Sequence, residues 1–293
     1  MIRAILLLLA TSSAALACPA GIQGQADDLA RAGNAIELER LQLQARACPQ
    51  GVRNRLALLT STVLWNGMLR DGVEVTSDEV VERVHRVRRA GGLWQASEFL
   101  GDHYRGREEW SAAYQAYEEA IALAEAPQPQ RSPLTAEEIR RLVDKRDIAF
   151  ALARHHGESV PVDQRFRSSR ASIIAVGRER VPIQFGFDQD EPTPQGWELL
   201  EEMAREIITN QPPSVRLMGH TDDVGSAEYN MDLSRRRAER VGRALIARGY
   251  EGHVRIEAYG LTQPFPRGPA TEGLSDDQYR ALCRRVEYVM EFD

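Results

Sequence analysis

The side chains best suited to chemistry lie within residues 219–238. Asp222 follows a short segment of alternating apolar residues, which is typical of a strand, and Ser234 and Arg237 lie in a helical segment. Residues three apart share one face of a helix, so Ser234 and Arg237 point the same way. Gly225 permits a tight turn between the strand and the helix. If that turn folds back, the Asp222 carboxylate and the Arg237 guanidinium line the same pocket.

Such a pair can bind a charged ligand, whereas motifs for catalysis are absent from the sequence. A hydrolase would need a nucleophile with its base, a metal cluster or paired carboxylates. There is no G-x-S-x-G, no H-E-x-x-H and no phosphate-binding P-loop. His155 and His156 are adjacent, so they point to different helix faces and cannot readily chelate together. We therefore expect no catalytic residue, no metal ligand and no cofactor.

The composition narrows the class of protein further. The chain has 293 residues, of which 43% are hydrophobic and 27% charged, which fits roughly two folded domains. The net charge of −6 argues against a dedicated nucleic-acid binder, which would usually carry an excess of basic residues. The mean hydropathy of −0.41 excludes a polytopic membrane protein. After the N-terminal segment, no stretch reaches the ~20 apolar residues that a span needs, so we expect no nucleic-acid partner and no transmembrane span.

The N-terminal segment predicts export. Arg3 precedes an apolar run at residues 5–10, and residues 15–17 read Ala-Leu-Ala, a small-residue cleavage site. We expect residues 1–17 to be a signal peptide that is removed from the mature protein. A second interpretation makes Cys18 a lipidated N-terminus, although Ala15 stands where bacterial lipoproteins usually carry leucine.

Three cysteines in an exported chain leave one without a disulfide partner. Cys18 and Cys48 each precede a proline and lie on either side of a helical stretch, so we predict a Cys18–Cys48 disulfide. Lipidation of Cys18 would exclude this bond, because the lipid would occupy its sulfur. We interpret Cys283 as a buried apolar residue.

Hydrophobic periodicity divides the mature chain into a helical domain, a linker and a mixed domain. Residues 18–156 show helical spacing, residues 157–180 are polar and rich in arginine, and residues 181–293 alternate between strands and helices. In the last region we predict strands at 181–187, 215–219, 254–258 and 286–290, and helices at 193–209, 232–248 and 275–282. The sequence therefore predicts an α+β protein, in which a two-layer βαβαβ-type domain with a mixed sheet follows an all-α domain.

Two local patterns add detail to the helical domain. Thr76 with Glu79 and Thr135 with Glu138 have the spacing of capping boxes and each predict a helix start. Residues 93–126 resemble a tetratricopeptide repeat, and the matching positions are Leu100, Gly101, Tyr104, Ala113, Tyr117 and Ala120. The small residues of that pattern let two antiparallel helices approach closely. The resemblance implies a surface that binds a protein partner, and a plain helical spacer is the other interpretation.

Four segments, taken in order, resemble the OmpA-like peptidoglycan-binding domain across residues 181–292. They are Ile-Gln-Phe-Gly-Phe-Asp at 183–188, Gly-His-Thr-Asp at 219–222, the Asn-x-x-Leu-Ser-x-x-Arg-Ala pattern at 230–238, and Arg-Arg-Val-Glu at 284–287. Asp222 and Arg237 are fifteen residues apart. One departure is Cys283, where the family usually has asparagine.

This resemblance implies a ligand and a set of site residues. The family's ligand is the diaminopimelate of the peptidoglycan stem peptide, which carries an ammonium and a carboxylate on the same distal carbon. The resemblance implies that Asp222 pairs with the ammonium and Arg237 with the carboxylate, which a guanidinium can hold through two parallel hydrogen bonds. The secondary ligand-binding residues that it implies are Phe187, Asp188, Thr221, Asn230, Leu233, Ser234 and Arg285.

Other roles stay open for several of these residues. Asp222 and Arg237 could form an internal ion pair, Asn230 could cap or turn the chain, and Arg285 could be a solvated charge on a strand. His220 is interpreted as a structural residue at the end of a strand.

Together these observations predict a non-catalytic protein of the periplasm that is tethered to the cell wall, near the outer membrane, by its C-terminal domain. Peptidoglycan is its expected partner. The alternative is a periplasmic adaptor whose repeat-like helices bind an envelope protein, with wall binding only for positioning. A third interpretation, which depends on lipidation of Cys18, is a lipoprotein that links the outer membrane to the wall.

Overall fold

The computed structural model describes residues 18–72, 78–125, 134–160 and 183–292. The predicted signal peptide, Thr76 of the first capping box and residues 161–180 of the predicted linker lie outside the described residues. The chain divides into two compact units between Leu93 and Trp94. The predicted linker therefore lies within the sequence range of the second unit.

Within its described residues, the first unit is built from α-helices whose apolar faces meet in one core. The helices are α1 Ile22–Arg31, α2 Ala35–Gln44, α3 Gln50–Arg70 and α4 Asp78–Ala90, with a 3₁₀ turn at Ala45–Ala47. Leu38 and Leu56 are fully buried in this core. Cys18 and Cys48 form a disulfide, the pairing that their sequence contexts predict, and it ties the start of the unit to the segment before α3.

The second unit begins with helices α5 Trp94–Gly106, α6 Trp110–Glu125 and α7 Ala136–His155. Helices α5 and α6 pack closely because Gly101 has no side chain, and a Cβ added there would collide with the ring of Tyr117. This is the close approach that the repeat-like spacing predicts. Thr135 and Glu138 form the predicted capping box at the start of α7.

A four-stranded mixed sheet follows in the described part of this unit. Its strands are β1 Ile183–Gln184, β2 Ser214–His220, β3 His253–Gly260 and β4 Arg285–Glu291, in the order β1-β4-β2-β3. β2 and β3 are parallel, and β4 is antiparallel to both β1 and β2. The helices of this region are α8 Pro194–Asn210, α9 Ala227–Ala247 and α10 Asp276–Cys283. The predicted α+β class, with a mixed sheet after a helical region, is confirmed.

The sheet and the helices before it share one hydrophobic core. Tyr114 of α6 and Phe150 of α7 belong to the same buried cluster as Leu217 of β2. The Gln184 side chain in β1 donates a hydrogen bond of 2.7 Å to the carbonyl of Ala151 in α7. Helices α6 and α7 are therefore part of the packing that supports the sheet.

The first predicted strand, at 181–187, is wrong in its extent. Residues 181–182 lie outside the described residues; in the described part of this segment Ile183–Gln184 pairs as a strand, and Phe185 forms an isolated bridge with Pro192. The chain then turns, with Asp188 in the left-handed region at a φ of 57°. Alternation of apolar residues did not reveal this turn, which leaves Phe187 61% exposed.

The predicted helix at 232–248 begins earlier than expected. Helix α9 starts at Ala227, because the side chain of Ser226 accepts a hydrogen bond from the backbone N–H of Tyr229 and caps the helix. Asn230 therefore lies inside the first turns of α9 and does not cap it.

Candidate functional site at the end of strand β2

Asp222 lies two residues beyond β2, and its carboxylate is buried. Its Oδ2 accepts a hydrogen bond from Nη1 of Arg284 at 2.8 Å, and its Oδ1 accepts one from the backbone N–H of Val224 at 3.2 Å. The Arg284 and Asp222 side chains are 10% and 6% exposed. Because a buried charge is costly unless it is paired, Arg284 stabilises the ionised carboxylate in this position.

The strand register explains why Arg284 reaches Asp222. In the antiparallel pair of β2 and β4, Gly219 lies opposite Val286. The residue two positions before Val286 is therefore close to the residues that follow Gly219. Arg284 holds that position and ends α10 as its C-cap.

Arg285 is the arginine that the family resemblance implies as a site residue, but the structure brings Arg284 to Asp222. The Nε of Arg285 donates to Glu287 at 2.7 Å, and its guanidinium lies 5.5 Å from the ring centroid of Phe265. Both arginines stand in the motif at 284–287, so composition alone could not separate them. The signal that distinguishes them is the register of β4 against β2.

Arg237 in α9 is fully buried, and backbone carbonyls surround its guanidinium. Nε donates to the carbonyl of Gln189 at 2.7 Å, Nη1 to that of His220 at 3.1 Å and Nη2 to that of Gly186 at 3.0 Å. The guanidinium also lies over the ring of Phe185, 5.0 Å from its centroid. These contacts join α9 to the turn after β1 and to the end of β2.

The electrostatics of Arg237 depend on its neighbours. The pKa of the guanidinium is lowered to about 10, chiefly by burial; Asp222 opposes this decrease and Arg284 adds to it. The recorded ion pair of Asp222 is with Arg284, so Asp222 acts on Arg237 through space. Of the five N–H donors of a guanidinium, three are used in the carbonyl bonds, so two remain for a ligand.

A close contact between helix and strand sets the position of Arg237. A Cβ added at Gly219 would collide with the backbone carbonyl of Ser234, so α9 lies directly on β2. The hydroxyl of Ser234 accepts a hydrogen bond of 3.0 Å from the backbone N–H of Gly260, at the end of β3. Ser234 therefore holds the helix in place, and Arg237 lies on the same helix face one turn later.

Two exposed aromatic residues lie around this site. Phe187 is 61% exposed and Tyr229 is 44% exposed. The hydroxyl of Tyr229 donates a hydrogen bond to the carboxylate of Asp188. Asp188 thereby links the turn after β1 to the first turn of α9.

The remaining predicted residues line the turn between β2 and α9. Asn230 is buried and its Nδ2 donates to the carbonyl of Val224 at 3.0 Å, which fixes the shape of the turn. Leu233 is also buried. Thr221 is buried, and among the described residues its hydroxyl has no hydrogen-bond partner. Such a hydroxyl, next to Asp222, is free to bond to a ligand.

His220 and Cys283 lie beside the site with contacts to the protein. His220 stacks on Tyr259, with ring centroids 5.3 Å apart, and its Nδ1 lies 3.0 Å from the carbonyl of Gln263. Cys283 is buried, and its sulfur accepts a hydrogen bond from the backbone N–H of Phe265. Burial raises the pKa of the Cys283 thiol.

The residues that the structure describes contain no group of three or more His, Cys, Asp and Glu side chains that could hold a metal ion. None of the described helices is long and apolar enough to cross a membrane.

The mixed sheet with its covering helices, and the buried Asp222, Arg237 and Arg284 at the end of β2, define an α+β domain. Residues 184–275 match the model of the OmpA family. This part of the chain is therefore an OmpA-like domain.

Several curated relatives share this region. The chain is 30% identical over 131 residues to "Outer membrane protein A" of Bordetella avium, and the match covers 44% of this chain and 64% of that protein. It is 34% identical over 110 residues to "Peptidoglycan-binding protein ArfA" of Mycobacterium tuberculosis, covering 37% of this chain and 32% of that protein. It is 34% identical over 121 residues to "Peptidoglycan-associated lipoprotein" of Pseudomonas aeruginosa, covering 41% of this chain and 66% of that protein. The chain thus spans less than two thirds of the length of each of these relatives.

A solved structure also matches. The crystal structure of the peptidoglycan-associated lipoprotein from Burkholderia pseudomallei is 31% identical, with a TM-score of 0.31, and the match covers 38% of this chain and 89% of that one.

Proposed function

We propose that this protein binds peptidoglycan non-covalently through the diaminopimelate of the stem peptide, with Asp222 and Arg237 as the principal ligand-binding residues. The observation that carries the proposal is the buried cluster at the end of β2, in which Arg284 binds the Asp222 carboxylate and Arg237 lies close enough for that carboxylate to act on it electrostatically. The printed names of the Mycobacterium and Pseudomonas relatives support peptidoglycan as the ligand.

The charges of the cluster complement the distal end of diaminopimelate. Arg237 and Arg284 carry two positive charges, and Asp222 carries one negative charge. The ligand's carboxylate pairs with Arg237, which has two N–H donors left. The ligand's ammonium donates to Asp222, whose oxygens each accept one bond in the structure and can accept more. The Thr221 hydroxyl adds a polar contact.

Access to Arg237 requires a local change, because its side chain has no exposed area. The carbonyls of Gly186 and Gln189, which cover the guanidinium, belong to the turn after β1. A charge-assisted hydrogen bond is roughly twice as strong as a neutral one, so a ligand carboxylate can replace one of these carbonyls. The turn moves outward as the ligand enters, and its exposed Phe187 then contacts the ligand.

The proposed setting is the periplasm, after removal of residues 1–17. The domain there holds the protein at the cell wall without catalysing a reaction. The names of the Bordetella and Pseudomonas relatives, an outer membrane protein and a peptidoglycan-associated lipoprotein, support an envelope location.

Co-sedimentation with insoluble peptidoglycan tests this function. The variants Asp222→Asn and Arg237→Gln each lose a charged hydrogen bond worth about 1.5–3 kcal/mol, so the apparent affinity should fall by roughly tenfold or more. Asp223→Asn and Arg236→Gln are matched controls. Asp223 follows Asp222 and Arg236 precedes Arg237 in the sequence, and their side chains are 70% and 38% exposed. They should pellet like the wild type.

The fold of each variant is checked by circular dichroism, and Arg237→Lys, which keeps the charge but loses the forked geometry, is measured beside Arg237→Gln. Folded wild-type protein that stays in the supernatant contradicts the proposal. So does a loss in the two controls as large as that in the two site variants.

A second function, as an adaptor that binds an envelope protein, has one observation in its favour. The first unit contains an open cavity beside Arg70, which has no ion-pair partner among the described residues.

A further inference from the structure

The first unit contains a cavity of about 350 Å³ that is separate from the sheet domain. It lies among the turn between α1 and α2, the C-terminal half of α3, and α4. Val63, Leu64 and Met68 of α3 form its apolar wall. This volume is within the range of small-ligand sites and accommodates one or two amino-acid residues.

Two glycines keep the cavity open. A Cβ added at Gly33 or at Gly67 would meet only the Nη2 of Arg70 within 4 Å, at 3.8 Å and 3.9 Å respectively. The guanidinium of Arg70 therefore lies beside the open space that the two glycines leave. An apolar wall and a guanidinium thus face the same small volume.

Three arginines line this N-terminal cavity, and among the described residues one of them has no ion-pair partner. Arg83 pairs with Asp71 and Glu79, and Arg86 pairs with Glu39 through two hydrogen bonds of 2.8 Å and 2.7 Å. Among the described residues, Arg70 has no recorded hydrogen bond or ion pair. Acidic partners thus compensate Arg83 and Arg86, and Arg70 is the arginine of the lining whose guanidinium is left to bind an anion.

The cavity therefore fits a ligand that presents a carboxylate and an apolar group close together. The last residue of a polypeptide has both on one Cα, whereas an internal aspartate or glutamate brings a carboxylate without an apolar group of its own. We propose that the N-terminal cavity binds the C-terminus of a partner polypeptide that ends in an aliphatic residue. Arg70 holds the terminal carboxylate, and the wall of Val63, Leu64 and Met68 receives the terminal side chain.

Fluorescence anisotropy on the full chain tests the ligand chemistry. The probe is an N-terminally labelled peptide Gly-Ser-Gly-Val-Leu with a free carboxylate. Amidation of its C-terminus, or replacement of the last leucine by glycine, should each weaken binding by roughly tenfold or more. A peptide of the same length, in which an internal residue is replaced by glutamate and the C-terminus is amidated, should bind no better than the amide.

Variants of the protein test the location. Arg70→Gln should weaken binding of the free-acid peptide at least about tenfold, whereas Arg89→Gln, an exposed arginine of α4 outside the lining, should leave it unchanged. Gly67→Leu fills the cavity from a helical position and should abolish binding while thermal stability is kept. Gly51→Leu, in the first turn of the same helix with open space around it, is the matched control.

The outcomes separate this proposal from others. Binding that needs the free carboxylate, Arg70 and the open cavity supports it, and Asp222→Asn should not affect that binding. Absence of binding at millimolar concentration overturns the proposal, as does equal binding of the amidated peptide. Equal losses in the Arg89 and Gly51 controls also overturn it. Arg70-dependent binding of a peptidoglycan stem peptide, but not of the leucine peptide, would assign the cavity to the wall instead of a protein partner.

Discussion

The buried ion pair of Asp222 and Arg284 allows a sharp test, because a matched exposed pair lies beside it. Asp223 and Arg280 are the same residue types, from the same turn and the same helix region, joined at 2.7 Å with side chains 70% and 35% exposed. The Asp222–Arg284 pair is joined at 2.8 Å with side chains 6% and 10% exposed. The two pairs differ chiefly in burial.

Burial determines how much folding stability each variant should lose. Breaking a buried pair by removing one partner costs about 3–5 kcal/mol, because the remaining charge loses its compensation. In Arg284→Gln the Asp222 carboxylate keeps the backbone N–H of Val224, and glutamine can still donate, so we expect a smaller cost of about 2–3 kcal/mol. Arg280→Gln breaks an exposed pair that solvent screens, so it should change stability far less than Arg284→Gln.

The assay is urea unfolding of the full chain at neutral pH, with a double-mutant cycle that includes Asp222→Asn. We expect a coupling energy between residues 222 and 284 of at least about 1 kcal/mol. A cost for Arg284→Gln no larger than that for Arg280→Gln would refute the reasoning. Additive effects of the Asp222 and Arg284 substitutions would refute it as well.

Three further predictions concern packing, the disulfide and pH. Gly219→Ala should destabilise the protein by about 1–3 kcal/mol in urea unfolding and weaken peptidoglycan pelleting, because its Cβ meets the backbone of α9; Gly24→Ala, with open space around it, should be neutral or stabilising. Reduction of the Cys18–Cys48 disulfide, which closes a separation of 30 residues, should cost roughly 3–4 kcal/mol, and an unchanged unfolding midpoint in reductant would contradict this. Burial lowers the pKa of His155 from 6.5, so the unfolded state takes up the proton first and stability falls as the pH drops below 6.5. His155→Asn should therefore lose less stability than the wild type over that interval, and parallel pH profiles of unfolding would show that His155 has no such effect.

The elements that the sequence predicts well are those with strong local signals. Val215 and Leu217 alternate with polar residues and lie in β2, and Thr135 with Glu138 forms a capping box. Each depends on neighbouring residues, so spacing alone is enough to find it.

The elements that the sequence predicts poorly depend on contacts between distant residues. The strand at 181–187 is cut short at Gln184, and the carbonyls of the following turn bond to Arg237, 48 residues or more away in the chain. The early start of α9 has another, local cause: Ser226 caps the helix at Tyr229, and helical periodicity, which follows apolar residues, does not register a polar cap.

In the candidate site, too, spacing along the sequence finds some residues and misses those whose roles depend on distant contacts. Motif spacing selected Asp222 and Arg237, and the structure places both at the end of β2. It did not select Arg284 as the partner of Asp222, because that choice depends on the register between β2 and β4. The enclosure of Arg237 by three carbonyls was also outside the reach of spacing, since it follows from the turn after β1.

The most direct test of the proposed function is isothermal titration of the full chain with two soluble stem tripeptides. One ends in meso-diaminopimelate and the other in lysine, which keeps the distal ammonium but lacks the distal carboxylate. We predict that the diaminopimelate peptide binds at least about tenfold more tightly, and that Arg237→Lys removes most of this preference. Equal affinity for the two peptides, or absence of binding to both, would contradict the assignment of Asp222 and Arg237 to the two charges of diaminopimelate.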